Sequence, residues 1–121
     1  MVLYRLSAAA KEDIVQILAH AEVNFGEIAR SRYERLLIAA LRDIATDPER
    51  LGSIARTELG NKIPSHHLRY SRDRARTEHG IVVRPRHFLL YRMTPEVTGI
   101  GRVLHDAMEL QRHLPTRYGD D

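Results

Sequence analysis

Apolar positions change their period three times along this chain. "VLYRL" (residues 2–6) alternates, with Val2, Tyr4 and Leu6 on one face and Leu3 and Arg5 on the other, which predicts a half-buried strand. From Ala10 the apolar residues move to helical steps, through Ile14, Ile17, Leu18 and Ala21 to Phe25. Ser7 is placed to cap that helix by accepting from an early backbone N–H, and Gly26 to end it. A second stripe runs from Ala29 through Tyr33, Leu36, Leu37, Ala40 and Leu41 to Ile44, with Pro48 as its stop. Two stripes joined by one glycine can be buried only by folding back as an antiparallel hairpin.

The texture then turns to β. "PERLGSIARTELGNKIPS" (48–65) holds two prolines and two glycines without a sustained period and reads as a connecting loop. Strands are expected at 66–72 ("HHLRYSR"), 80–84 ("GIVVR"), 86–93 ("RHFLLYRM") and 97–105 ("VTGIGRVLH"). Met93-Thr94-Pro95-Glu96 reads as a hairpin turn, and Pro85 as a kink or bulge between its neighbours. The predicted fold is α+β: an N-terminal strand, then a helical hairpin packed on one face of a mostly antiparallel sheet. A single domain is expected over residues 1–115, with a frayed tail at 116–121.

Composition narrows the setting. The 121 residues are 43% hydrophobic and 29% charged, which is globular composition for one domain. With no cysteine, disulfides and thiolate metal sites are excluded, and no apolar run approaches the ~20 residues of a membrane span. A cytoplasmic protein without a membrane partner is expected. The net charge of +3 is unevenly spread. Residues 1–49 carry six basic and eight acidic side chains, residues 50–92 ten and three, and residues 93–121 three and five. A basic middle third points to an anionic partner, nucleic acid or an acidic protein segment, although 17 arginines against two lysines also suit plain solvated charge.

The opening "YRLSAAAKEDIVQIL", the second-helix stretch Ala29–Gly52 with its Pro-x-x-x-Gly exit, and "HFLLYRMTPEVTGIGRVLHDAMELQRHL" occur in this order and spacing. Together they resemble the RelE/ParE superfamily of toxins from bacterial type II toxin–antitoxin systems, the Leu-Tyr-Arg strand and Arg-Val-Leu-His ending being similar to its ParE branch. The resemblance covers roughly residues 2–114. It implies a small toxin held inactive by a cognate antitoxin protein. ParE-like members act on DNA gyrase without nuclease activity, whereas RelE-like and YoeB-like members cut mRNA on the ribosome.

The second activity would need a base, an acid and cations around a scissile phosphate. Arg86, Arg92, Arg102 and His105 are the candidates for that set. Two departures weigh against it. The nuclease-type histidine is followed by tyrosine, where this chain has Asp106, and a basic residue precedes the strand tyrosine by three places, where it has Phe88. His105, Glu109 and His113 recur at i+4 steps as a weak metal pattern, but a solvated polar face explains them better, and no metal or cofactor is expected. His105 is read as a structural residue that holds the strand-to-tail junction, Arg102 as lying across the sheet with Arg92, and either Val103 or Leu104 as core. The resemblance suggests Ile28, Tyr33, Leu37, Arg92 and Arg102 as antitoxin contacts. The functional expectation is a gyrase inhibitor neutralised by its antitoxin, with ribosome-dependent mRNA cleavage as the alternative and a degenerate, non-toxic member as a third option.

Overall fold

In a computed structural model, which describes residues 4–47, 53–56, 63–107, 115 and 117–119, the alternating start becomes strand β1 (Tyr4–Leu6). Helices α1 (Ala8–Phe25) and α2 (Glu27–Thr46) follow. Ser7 caps α1 through its hydroxyl, which accepts from the Ala10 N–H at 3.0 Å. Gly26 makes the turn between the helices at φ 93°, a conformation that an L side chain would resist. The expected stripes are the buried faces, except that Phe25 is 73% exposed at the end of α1. Pro48 lies outside the described residues.

The remaining strands are β2 (Ser53–Arg56), β3 (Ile63–His67), β4 (His87–Met93) and β5 (Thr98–His105). They form one five-stranded sheet in the order β1-β5-β4-β3-β2. Among the described residues only the β1–β5 pair is parallel. The fold is α+β as predicted. Its main core joins Leu36, Leu37, Ala40 and Ile44 of α2 to Leu89, Tyr91, Ile100 and Val103 of the sheet. A smaller cluster of Phe88, Leu90 and Leu104 forms separately from residues that alternate with these in β4 and β5. Both Val103 and Leu104 are therefore core, each in its own cluster.

Three sequence expectations are corrected. The segment 48–65 is not all loop: Ser53–Arg56 pairs antiparallel with β3. The strand expected at 66–72 stops at His67 and becomes a 3-10 helix, Leu68–Ala75. Its buried residues Leu68, Ser71 and Ala75 recur at three and four, a helical spacing that the preceding alternation disguised. His67 caps this helix, its Nδ1 accepting from the Arg69 N–H at 3.1 Å. Inside it, Ser71 donates to Asp43 of α2 at 2.6 Å and meets His66 Nε2 at 2.9 Å, while Arg74 chelates the same carboxylate. The expected strand at 80–84 is absent. Gly80 closes a turn with Thr77, the Val83 carbonyl accepts from Arg72 at 2.8 Å, and Pro85 offers no N–H to a ladder.

The predicted hairpin turn is present, closed by the Thr94 N–H on the Val97 carbonyl. Arg92 faces Gly99 across it, so Arg102 does not lie opposite Arg92. Arg102 faces Leu90 instead, and Gly101 is the extra residue of a β-bulge between the Tyr91–Ile100 and Leu90–Arg102 pairs. The bulge lets Ile100 and Val103, three residues apart, enter the same core. Pro115 and Tyr118 lie against Gly101, where a Cβ would come within 2.5 Å of the proline ring. Part of the segment expected to fray, Tyr118 and Gly119, thus rests on β5 and on Arg5 of β1.

Candidate functional site

Between the helical hairpin and the far end of the β4–β5 pair lies a groove of about 840 Å³. Ile17 and Ala21 of α1 and Ala29 and Tyr33 of α2 form one wall, and residues 81–84 with Arg86 form the other. His87 and His105, paired across β4 and β5, stand at its sheet end. Phe25 and Val83, 73% and 67% exposed, give its rim an apolar character.

The polar groups at this end form a connected chain. The Tyr33 hydroxyl lies 2.5 Å from His87 Nδ1 and accepts from the Arg86 N–H at 3.2 Å. With the backbone amide donating to it, the phenol donates in turn to an imidazole that must be neutral. Burial pushes the Tyr33 phenol up to about 12. Burial, reinforced by the neighbouring His105, takes His87 down to about 4. The two histidine rings meet edge to face at 5.2 Å between centroids. His105 Nδ1 accepts from the Ala107 N–H at 3.0 Å, so the ring holds the strand-to-tail junction.

Asp106, the departure from the nuclease pattern, is the anionic centre of the cluster. Arg86 grips Oδ1 through Nε and a terminal nitrogen at 3.1 and 3.0 Å, and His67 Nε2 reaches Oδ2 at 3.1 Å. Desolvation opposes the charge, but the hydrogen bonds from His67 and Arg86 prevail and hold this carboxyl below the usual range. Burial lowers His67 against the pull of Asp106. Because Nδ1 of His67 already accepts from Arg69, its Nε2 carries the proton that Asp106 receives.

Only part of the predicted residue set meets here. Arg86 and His105 border the groove; Arg92 and Arg102 do not. The Arg92 guanidinium lies 4.8 Å from the centre of the Tyr118 ring. Arg102 is engaged by Asp13 of α1 through two hydrogen bonds of 2.7 and 2.8 Å, which raise its already high pKa against the cost of burial. Ile28 is half exposed on α2, whereas Leu37 is 2% exposed in the main core and has almost no surface to offer a partner. Glu109 and His113 lie outside the described residues, and no three metal-ligating side chains are gathered among those described. Sequence reasoning missed Asp13, His67 and His87. The first two carried no periodic signal, and His87 stood at a strand end as an ordinary polar residue.

Among the described residues no helix is long and apolar enough to cross a membrane. No curated protein matches the chain. Residues 4–110 match the family described as the ParE toxin of the type II toxin–antitoxin system, parDE, and the chain belongs to that family.

Proposed function

We propose that this type II toxin acts by binding DNA gyrase and blocking it without cutting nucleic acid, and that its cognate antitoxin neutralises it by covering the groove. The dispersal of the candidate nuclease groups carries this reading. Ribonuclease chemistry needs an acid and several free cations converging on one phosphate. Here Arg102 is committed to Asp13, Arg92 rests on Tyr118 at the other end of β4, and Arg86 is neutralised by Asp106. His105 is fixed at the end of β5 by the Ala107 N–H on its Nδ1, away from Arg92 and Arg102. The exposed Phe25, Ile28 and Val83 suit the apolar side of an antitoxin segment, with Tyr33 in the helical wall beside them.

Tightly controlled expression, read out by plasmid topology and by translation in parallel, tests the reading. Altered supercoiling with intact mRNA, relieved by the co-expressed antitoxin, is expected. Site-specific mRNA cuts with normal plasmid topology would replace it with the nuclease alternative.

A further inference from the structure

The gyrase reading leaves the basic middle of the chain unused, and the fold gathers part of that charge in one place. A shallow depression of about 330 Å³ is bordered by Arg69 and Arg72 of the 3-10 helix on one side and by Arg84 and Arg86 on the other. A 3-10 helix has three residues per turn, so Arg69 and Arg72 stand one above the other, about 6 Å apart along the axis. Asp73 falls on another face, with Tyr70. The carboxylate within the depression, Asp106, is already bound by Arg86 and His67. That leaves three guanidinium charges in excess of the acids: Arg69 and Arg84, which are exposed, and Arg72, which is partly covered and donates one N–H to the Val83 carbonyl.

We propose that this depression binds the phosphate backbone of duplex DNA, so that the toxin has its own, sequence-independent affinity for DNA. Guanidinium forks match phosphate oxygens in pairs, and a contact that rests on charge needs no pocket for side chains or bases. The lining agrees: Val83 and Pro85 are its apolar members, too few to seat an acidic peptide through its side chains. It contains no Phe, Tyr or Trp on which a splayed base could stack. Tyr70, beside Arg69 in the 3-10 helix, is engaged, with the Arg69 guanidinium 4.9 Å from its centre and His66 at 6.2 Å. Outward-facing phosphates of a duplex therefore fit this surface better than single-stranded bases do. The contact is independent of which cellular machine the toxin arrests.

The test is fluorescence anisotropy of the full-length toxin with a labelled 20-base-pair DNA duplex, titrated between 50 and 200 mM salt, with no gyrase present. Three phosphate contacts predict a log–log salt slope of about −2.7, which is about a 40-fold loss of affinity over that range. The double variant Arg69→Gln/Arg84→Gln should keep one contact and lose only about 3-fold. Arg30→Gln/Arg35→Gln removes the same charge from the exposed side of α2 and should leave the slope unchanged. An equal effect from both double variants would reduce the interaction to overall charge and overturn the proposal. So would tighter binding of the matching single strand, displacement by polyglutamate but not by unlabelled duplex, or no binding at 50 mM salt.

Discussion

Asp13 holds Arg102 and Val103 at once: its two carboxylate oxygens accept from the guanidinium at 2.7 and 2.8 Å and from the Val103 N–H at 2.9 Å. Six residues earlier, at the helix cap, Ser7 Oγ donates to the Gly101 carbonyl at 2.7 Å. The first two turns of α1 are thus bonded to the bulged part of β5, where the sheet changes its alternation. The bulge, the helix cap and the ion pair form one device that fixes the helices against the strand carrying His105.

This device predicts that Arg102 is structural. Arg102→Ala should lower unfolding free energy by about 1.5–3 kcal/mol, because a charge-assisted bidentate bond is lost and a largely covered carboxylate remains. Arg30→Ala, at a 3.6 Å surface ion pair, should cost under about 1 kcal/mol. Denaturant titration of both variants and of Asp13→Ala, completed as a double-mutant cycle, measures this. Equal small costs would mean that the clip contributes nothing.

Tyr33→Phe leaves the ring in place and removes one hydroxyl. The His87 Nδ1 and the Arg86 N–H both lose a partner, so a cost of about 1–3 kcal/mol is expected despite the added apolar character. Chemical denaturation checks it, and an unchanged midpoint would show that the chain of hydrogen bonds has no net value.

The lowered His87 pKa fixes a pH dependence. Its ordinary value is 6.5 and its folded value about 4, so between these limits the unfolded chain binds the proton and the folded chain does not. Its contribution is complete above 6.5 and is lost as the pH falls through about 4, at a slope of up to about 1.4 kcal/mol per pH unit. His67, also lowered, adds in the same direction. Melting temperatures measured from pH 7 to 4 should fall more steeply for the native protein than for His87→Asn, whose amide oxygen can replace Nδ1. Parallel curves would contradict the assignment.

Gly101→Ala places a methyl group within 2.5–2.8 Å of Pro115 and Tyr118. A shift of that segment is expected, with a cost of about 1–3 kcal/mol. Carboxypeptidase should then trim the C-terminal end faster than in the native chain; an unchanged rate would show that the packing yields without loosening.

Long amphipathic stretches made the helical hairpin legible, as did the run through β4 and β5 around the Pro95 turn, because burial repeats there over many residues. Shorter features were hidden. Ser53–Arg56 pairs four residues inside a stretch rich in turn formers, and Leu68–Ala75 opens with an alternation that mimics a strand. The bulge at Gly101 left no periodic trace, since a single extra residue is indistinguishable from ordinary glycine in a strand. The site suffered most. His105 at its junction was foreseen, but Asp13 and His67 reach Arg102 and Asp106 across 89 and 39 residues of chain. Such pairings are created by tertiary structure, and no local spacing encodes them.

A toxin that blocks gyrase by binding, without cutting RNA, must act on the purified enzyme alone. The most direct measurement adds the purified toxin, native and His105→Gln, to purified gyrase in a supercoiling assay without ribosomes. Loss of supercoiling, or trapped cleaved DNA, is predicted for both proteins, because glutamine retains an acceptor for the Ala107 N–H. Untouched gyrase, together with mRNA cleavage on translating ribosomes that His105→Gln slows by about 10²–10⁴, would contradict the account.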